Sequence, residues 1–212
     1  MCVIAVSRFG SRLPTKAELR AMWDHNPDGA GYMFSRSGKV HIKKGFMSFE
    51  SFWSAFRSEK LTRSDAVVFH FRISTQAAGL PAMTHPFPLS SVPSDIESLQ
   101  VDCNIGIAHN GVIQLTSTGD KRFSDTALFI MDYLPLFVRN PEDINNEQTQ
   151  NIIKKLGGWS KFAFMTGSGN IVTIGSFYEE KGGLLLSNVN HKLSHTEYKT
   201  GSRFPSYHFY NY

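Results

Sequence analysis

MCVIAV, residues 1–6, places a cysteine directly behind the initiator methionine and then runs into Val3, Ile4, Ala5 and Val6. Loss of Met1 gives one residue both a thiol and a free α-amine. The amine has a reference pKa of ~7.7–8 and the thiol one of ~8.5, so near neutral pH the amine can accept the proton of a thiol that is mostly unionised. A thiol so placed needs no histidine to activate it. The plain alternative is that Cys2 merely opens a buried strand, and the choice rests on what the remaining residues supply.

At 212 residues the chain can bury a substantial core, and one domain is expected over 1–212. Hydrophobic residues make up 41% and charged residues 19%, a globular composition rather than a disordered one. The net charge of +4 comes from lysines and arginines interleaved with acids along the chain, which argues against a nucleic-acid partner. Cys2 and Cys103 are the two cysteines, with no spacing suited to a zinc site, so neither a metal nor a disulfide framework is expected. No cofactor is implied. Without a signal-like leader or a long apolar run, the reading is a soluble protein of a reducing cytoplasm with no membrane contact.

In chain order, CVIAV reads as a buried strand. Thr15 and Glu18 form a capping box for a helix over TKAELRAMWDH. NPDGAGYMF is a turn feeding a strand, and SRSGKVHIKKG is its hairpin partner, turning at Ser37–Gly38, with Lys43 and Lys44 on a solvated face. Phe49, Phe52, Trp53 and Phe56 recur at helical spacing. DAVVFHFRI is a strand that ends at His70 and Arg72. A long loop is expected from about Leu89 to Asp102. NIGIAHNGVI is a second buried strand, Ser124 caps a helix over FSDTALFIMDYLPLF, and Gly157–Gly158 end another over NEQTQNIIKKLGG. KFAFMTGSGNIVTIG is a hairpin and GGLLLSN a further strand. An aromatic tail from about residue 195 either packs on the body or docks a partner. This order suggests packed sheets with helices outside.

Three polar clusters stand at strand ends or a helix start: HFRIST, HNG and SDT. Singly each has a structural reading: Arg72 as an ion-pair partner, Asn110–Gly111 as a tight turn, Asp125 as a complement to a helix dipole. With MCVIAV, HNPDGAG, THPF, IAHNGVI and FSDTALF, in this order, the chain resembles the class II glutamine amidotransferase domain, a member of the N-terminal-nucleophile hydrolases. The resemblance implies an α+β fold, a four-layer αββα sandwich of two mainly antiparallel sheets, and hydrolysis of the glutamine side-chain amide through a thioester. It assigns Cys2 as nucleophile, the Asn110 amide and the Gly111 N–H as oxyanion donors, and Arg72 and Asp125 to the α-carboxylate and α-ammonium of glutamine. Thr75 and His85 fall near the glutamine pocket, and Asp28 and Gly29 in a supporting turn. His70 and His109 are expected to satisfy strand-end hydrogen bonds, and Cys103 to be a buried small hydrophobe.

The pattern departs from the family at Val3, where glycine usually follows the nucleophile, and at His25, Ile73 and Gln76. These positions leave the substrate open between glutamine and another γ-glutamyl amide or peptide. A catalytically silent binding module with the same fold remains a third reading. Because the chain carries only a glutaminase-like region, a separate ammonia-accepting synthase is the expected partner.

Overall fold

The computed structural model describes residues 2–73, 79–114, 120 and 122–192. The first strand, β1 (Val3–Ser7), is buried along its whole length, and its side chains alternate between two cores. Val3 and Ala5 pack with Leu19, Phe52 and Phe69, whereas Ile4 and Val6 pack with Val68, Ala108 and Met165. A strand covered on both faces has no polar side, and this is why VIAV is continuously apolar.

Helix α1 (Lys16–His25) follows, then the hairpin β2 (Ala30–Arg36) and β3 (Lys39–Phe46), helix α2 (Phe49–Ser58) and strand β4 (Val67–Phe71). Next come β5 (Phe87–Pro88), α3 (Pro93–Glu97), β6 (Gln100–Cys103) and β7 (Ile105–Asn110). The last part holds α4 (Asp125–Leu128), α5 (Glu147–Gly157), β8 (Lys161–Thr166), β9 (Ile171–Ile174), β10 (Tyr178–Glu180) and β11 (Leu184–Leu186). Among the described residues these strands form a 7-stranded sheet, β10-β11-β1-β4-β2-β3-β6, and a 4-stranded sheet, β5-β7-β8-β9. The assigned strand pairs are antiparallel.

Three apolar cores define the layers. Leu19, Met22, Phe49, Phe52 and Phe56 of α1 and α2 cover the outer face of the larger sheet. Ala127, Ile130, Leu134 and Ile153 cover the outer face of the smaller one through Ile107, Phe162 and Phe164. Between the sheets lie Ile4, Met33, Val68, Ala108 and Ala163. The order is helix, sheet, sheet, helix, in the manner of an αββα sandwich. Each fully buried Phe contributes ~1.5–3 kcal/mol by leaving water, which outweighs any local propensity in these segments.

Local signals hold where chemistry is local. Thr15 accepts from the Glu18 N–H at 3.2 Å, and Glu18 Oε2 accepts from the Thr15 N–H at 2.8 Å, closing the capping box. Ser124 Oγ accepts from the Ala127 N–H, and Ser48 and Asn146 cap α2 and α5 in the same way. Helix α4 then loosens into a π-helical turn over Phe129–Tyr133 and a tighter 3-10 turn over Leu134–Leu136, where Pro135 ends regular winding.

Three expectations are corrected. The stretch 89–102 is not one long loop: it folds α3 and then β6, which pairs as an edge strand with β3 through Val40↔Cys103 and Ile42↔Val101. Lys44 is buried rather than solvated, its ammonium donating to the carbonyls of Ala82 at 2.7 Å and Ile96 at 2.6 Å. The 80–97 segment closes over that face of β3, a long-range contact with no local signal. Cys103 is half-buried, and desolvation pushes its thiol up to about 12, so it stays protonated. No helix among the described residues is long and apolar enough to cross a membrane.

Candidate active site

The sheet registers bring the polar strand ends together. Val3 pairs with Phe71, so Cys2 falls opposite Arg72 one step further on. Ala30 also pairs with Phe71, which sets Gly29 opposite Arg72 from the other side. Arg72 N donates to Gly29 O at 2.8 Å and Asp28 N donates to Arg72 O at 3.0 Å, extending the ladder into the turn. Gly29 has φ 127°, and a Cβ there would lie 2.6 Å from Thr84 Cγ2, so only glycine fits this close turn. The Asp28–Gly29 pair thereby fixes the backbone that carries Arg72.

On the other flank of β1, Ser187 follows β11. Its N–H donates to Ile4 O at 2.9 Å, and its Oγ accepts from Ile4 N at 2.9 Å. The same Oγ accepts from Asn110 Nδ2 at 2.9 Å, which ties the end of β7 in the smaller sheet to β1 in the larger one. An amide nitrogen carries two hydrogens, and this bond uses one while setting the plane of the group. Asn188 Nδ2 donates to Cys2 O at 2.5 Å, and Lys161 Nζ donates to Ser187 O. Gly111 has φ 155°, and a Cβ on it would meet Ser160 Oγ at 2.3 Å and Ser160 Cα at 2.8 Å. The backbone after Asn110 is thus held against the start of β8.

Asp125 stands in the first turn of α4. Its Oδ2 accepts from Ile113 N at 2.8 Å and its Oδ1 from Thr126 N at 2.7 Å, so backbone amides hold the carboxylate. A narrow polar pocket of about 50 Å³ is lined by Cys2, Arg72, His85, Gly111, Ser124 and Asp125. A larger cleft of about 710 Å³ adjoins it, sharing Cys2, Ile73 and Gly111, and is walled by Asn110 and Trp159 among others.

The electrostatics of this corner follow from its burial. Desolvation raises the Cys2 thiol above its ordinary value, with the Arg72 charge among the influences acting the other way, so the resting group is a thiol at neutral pH. Its Sγ lies 3.5 Å from Ile73 O. Arg72 is also lowered by burial, opposed by the charges of Cys2, Asp28 and Asp125, and it remains a cation. Behind the pocket His70 Nε2 and His85 Nδ1 each approach His109 O at 2.9 Å, and His109 Nδ1 meets Thr126 Oγ1 at 2.7 Å. Burial lowers His70 and His109 to about 3, and it holds His85 well below its ordinary value. All three rings are neutral at pH 7, which makes them framework rather than charge.

The structure therefore brings together Cys2, Arg72, His85, Asn110, Gly111 and Asp125, with Asp28 and Gly29 directly behind Arg72. Thr75 and Gln76 lie outside the described residues, as does the tail from 195. Sequence reading missed Ser187, Asn188 and Lys161. The first two follow the apolar run LLL as HNG follows IGIA, so polar residues at the end of a buried strand were the available signal. Among the described residues no group of three or more His, Cys, Asp or Glu could hold a metal ion.

No protein-family model and no curated protein matches the chain. Among solved structures it is similar to glutamine phosphoribosylpyrophosphate amidotransferase from B. subtilis, determined with ADP and GMP, at 14% identity and a TM-score of 0.56. The similarity covers 88% of this chain and 42% of that one, so this chain spans less than half the length of the protein it matches. At this identity the likeness is one of fold.

Proposed function

We propose that the chain is a class II glutamine amidotransferase-like domain over 1–212, and that it hydrolyses the side-chain amide of glutamine through Cys2 once Met1 has been removed. The observation that carries this reading is the convergence of Cys2, Arg72, Asn110, Gly111 and Asp125, from separate segments of the chain, around adjoining openings at one end of the stacked sheets. Arg72 binds the substrate α-carboxylate through its planar fork, and Asp125 binds the α-ammonium. The thiol of Cys2 passes its proton to its own α-amine as Sγ attacks the side-chain carbonyl carbon. The free hydrogen of Asn110 Nδ2 and the Gly111 N–H stabilise the oxyanion, a contribution of ~3–4 kcal/mol per donor in comparable sites. The ammonium form of the terminus then protonates the departing nitrogen, and water hydrolyses the thioester to glutamate. The raised thiol pKa suits this order of events, because the proton is withdrawn during attack rather than beforehand.

Two features support glutamine as substrate: opposite charges in one narrow pocket beside Cys2, and a fold shared with a glutamine-dependent amidotransferase. Ammonia released here would pass to an acceptor-bearing synthase protein. Intact mass and ammonia release from glutamine, measured on the same sample, test the reading. Glutaminase activity should appear with the loss of Met1 and vanish in Cys2→Ala. A processed chain that releases no ammonia, with or without candidate synthases, would refute it.

A further inference from the structure

We propose that the 710 Å³ cleft beside Cys2 is a subsite for the amine portion of the substrate, so that the chain cleaves N-substituted γ-glutamyl amides with an apolar or aromatic amine, glutamine being the smallest member of the class. The proposal rests on the amidase reading above and specifies what leaves from the thioester-forming step. With the charged end of the γ-glutamyl group between Arg72 and Asp125, the scissile carbonyl lies at Cys2, and a substituent on its nitrogen extends away from that pocket. The opening on that side is the cleft, which shares Cys2, Ile73 and Gly111 with the polar pocket.

Size separates the two kinds of leaving group. Ammonia occupies about the ~30 Å³ of a water molecule, whereas sites for small organic groups run ~300–1,000 Å³. The lining points the same way. Ile73 is 40% exposed, Val112 61% and Trp159 93%, and all three residues border this one cleft. An indole left in water on the rim of the cleft that also holds the nucleophile is a ready surface for an apolar or aromatic group. Lys155, exposed on the cleft wall, suits a carboxylate on the amine portion, such as that of an amino acid joined through its nitrogen.

The framework is fixed where it must be. Asn110 pairs with Lys161 across β7 and β8, Gly111 lies against Ser160, and α5 ends at Gly157 immediately before the Trp159 segment. The chemistry balances. Sγ of Cys2 bonds to the γ-glutamyl carbonyl carbon and the C–N bond breaks. The thiol proton, carried by the α-amine, goes to the nitrogen, which leaves as a free amine. Water then adds to the thioester, the C–S bond breaks, and glutamate and the thiol are restored.

The test uses the processed chain, its loss of Met1 confirmed by intact mass, with glutamate release measured from L-glutamine and from γ-L-glutamyl-L-phenylalanine. The dipeptide is expected to show kcat/KM about tenfold above that of glutamine, from burial of its ring. Trp159→Ala, a change at a side chain outside the core, should lower the dipeptide-to-glutamine ratio by about tenfold, the discrimination expected of one apolar contact surface. Glutamine turnover with a dipeptide kcat/KM at or below that of glutamine overturns the subsite and leaves the amidase reading standing, as does an unchanged ratio in Trp159→Ala. Hydrolysis of neither substrate overturns both.

Discussion

Lowering the pH from 7.5 to 5.0 should destabilise the folded chain by about 4 kcal/mol through His70 and His109 alone. Both rings have an ordinary pKa of 6.5 and are lowered by burial to about 3. The unfolded chain therefore binds more protons than the folded one throughout this interval, and stability falls as the pH falls. At pH 5.0 an unfolded ring is almost fully protonated and a folded one is not, which is ~2 kcal/mol per ring. His85 acts in the same direction. Glu18 acts outside this window: held at about 2 mainly by its hydrogen bonds to Arg12, it loses its contribution only as the pH drops below its ordinary 4.5. Against a total stability of ~5–15 kcal/mol such a loss brings a typical domain close to unfolding. Urea titration followed by tryptophan fluorescence at the two pH values reads the difference. Histidine ring resonances supply the check, since neither His70 nor His109 should titrate in the native protein above pH 5. A loss below about 1 kcal/mol, or native midpoints near 6.5, would refute the assignment of these rings as neutral framework.

Ser187→Ala removes the acceptor for Asn110 Nδ2 and Ile4 N; kcat should fall by at least about tenfold with KM little changed, at a stability cost of ~1–3 kcal/mol, and an unaltered kcat would remove Ser187 as the residue that orients Asn110. Gly111→Ala forces a Cβ to within 2.3 Å of Ser160 Oγ, so a loss of ~1–3 kcal/mol in thermal or urea unfolding is expected, together with loss of turnover as the Gly111 N–H shifts. Thr15→Ala opens the capping box of α1 and should cost about 1 kcal/mol while leaving kcat within error, measured by denaturant unfolding and steady-state kinetics.

Much of the fold was legible because its signals are short-ranged. The Thr15–Glu18 spacing, the Ser37–Gly38 turn and the Phe49–Phe52–Phe56 stripe each report chemistry within a few residues, and each element formed where expected. The 89–102 stretch was misread because α3 is five residues long and β6 exists only through its pairing with β3. Lys44 was misread for the same reason, since its two carbonyl partners come from residues 82 and 96.

The candidate site divides along the same line. Sequence by itself determined the residue types: a cysteine next to Met1, an arginine closing HFR, an asparagine and glycine closing IAHNG, an aspartate after a helix cap. Its apolar strands also called for packed sheets with helices outside, since a strand without a polar face must be covered on both sides, whereas the αββα order was what the family resemblance implied. Only the tertiary structure decided that these residues meet. The Val3↔Phe71 register sets Cys2 opposite Arg72, and the Ser187 hydroxyl ties Asn110 of one sheet to β1 of the other. It alone decided that a second, wider cleft adjoins the polar pocket at Cys2. Register and sheet stacking follow from burial summed over the whole chain, so no short stretch carries them.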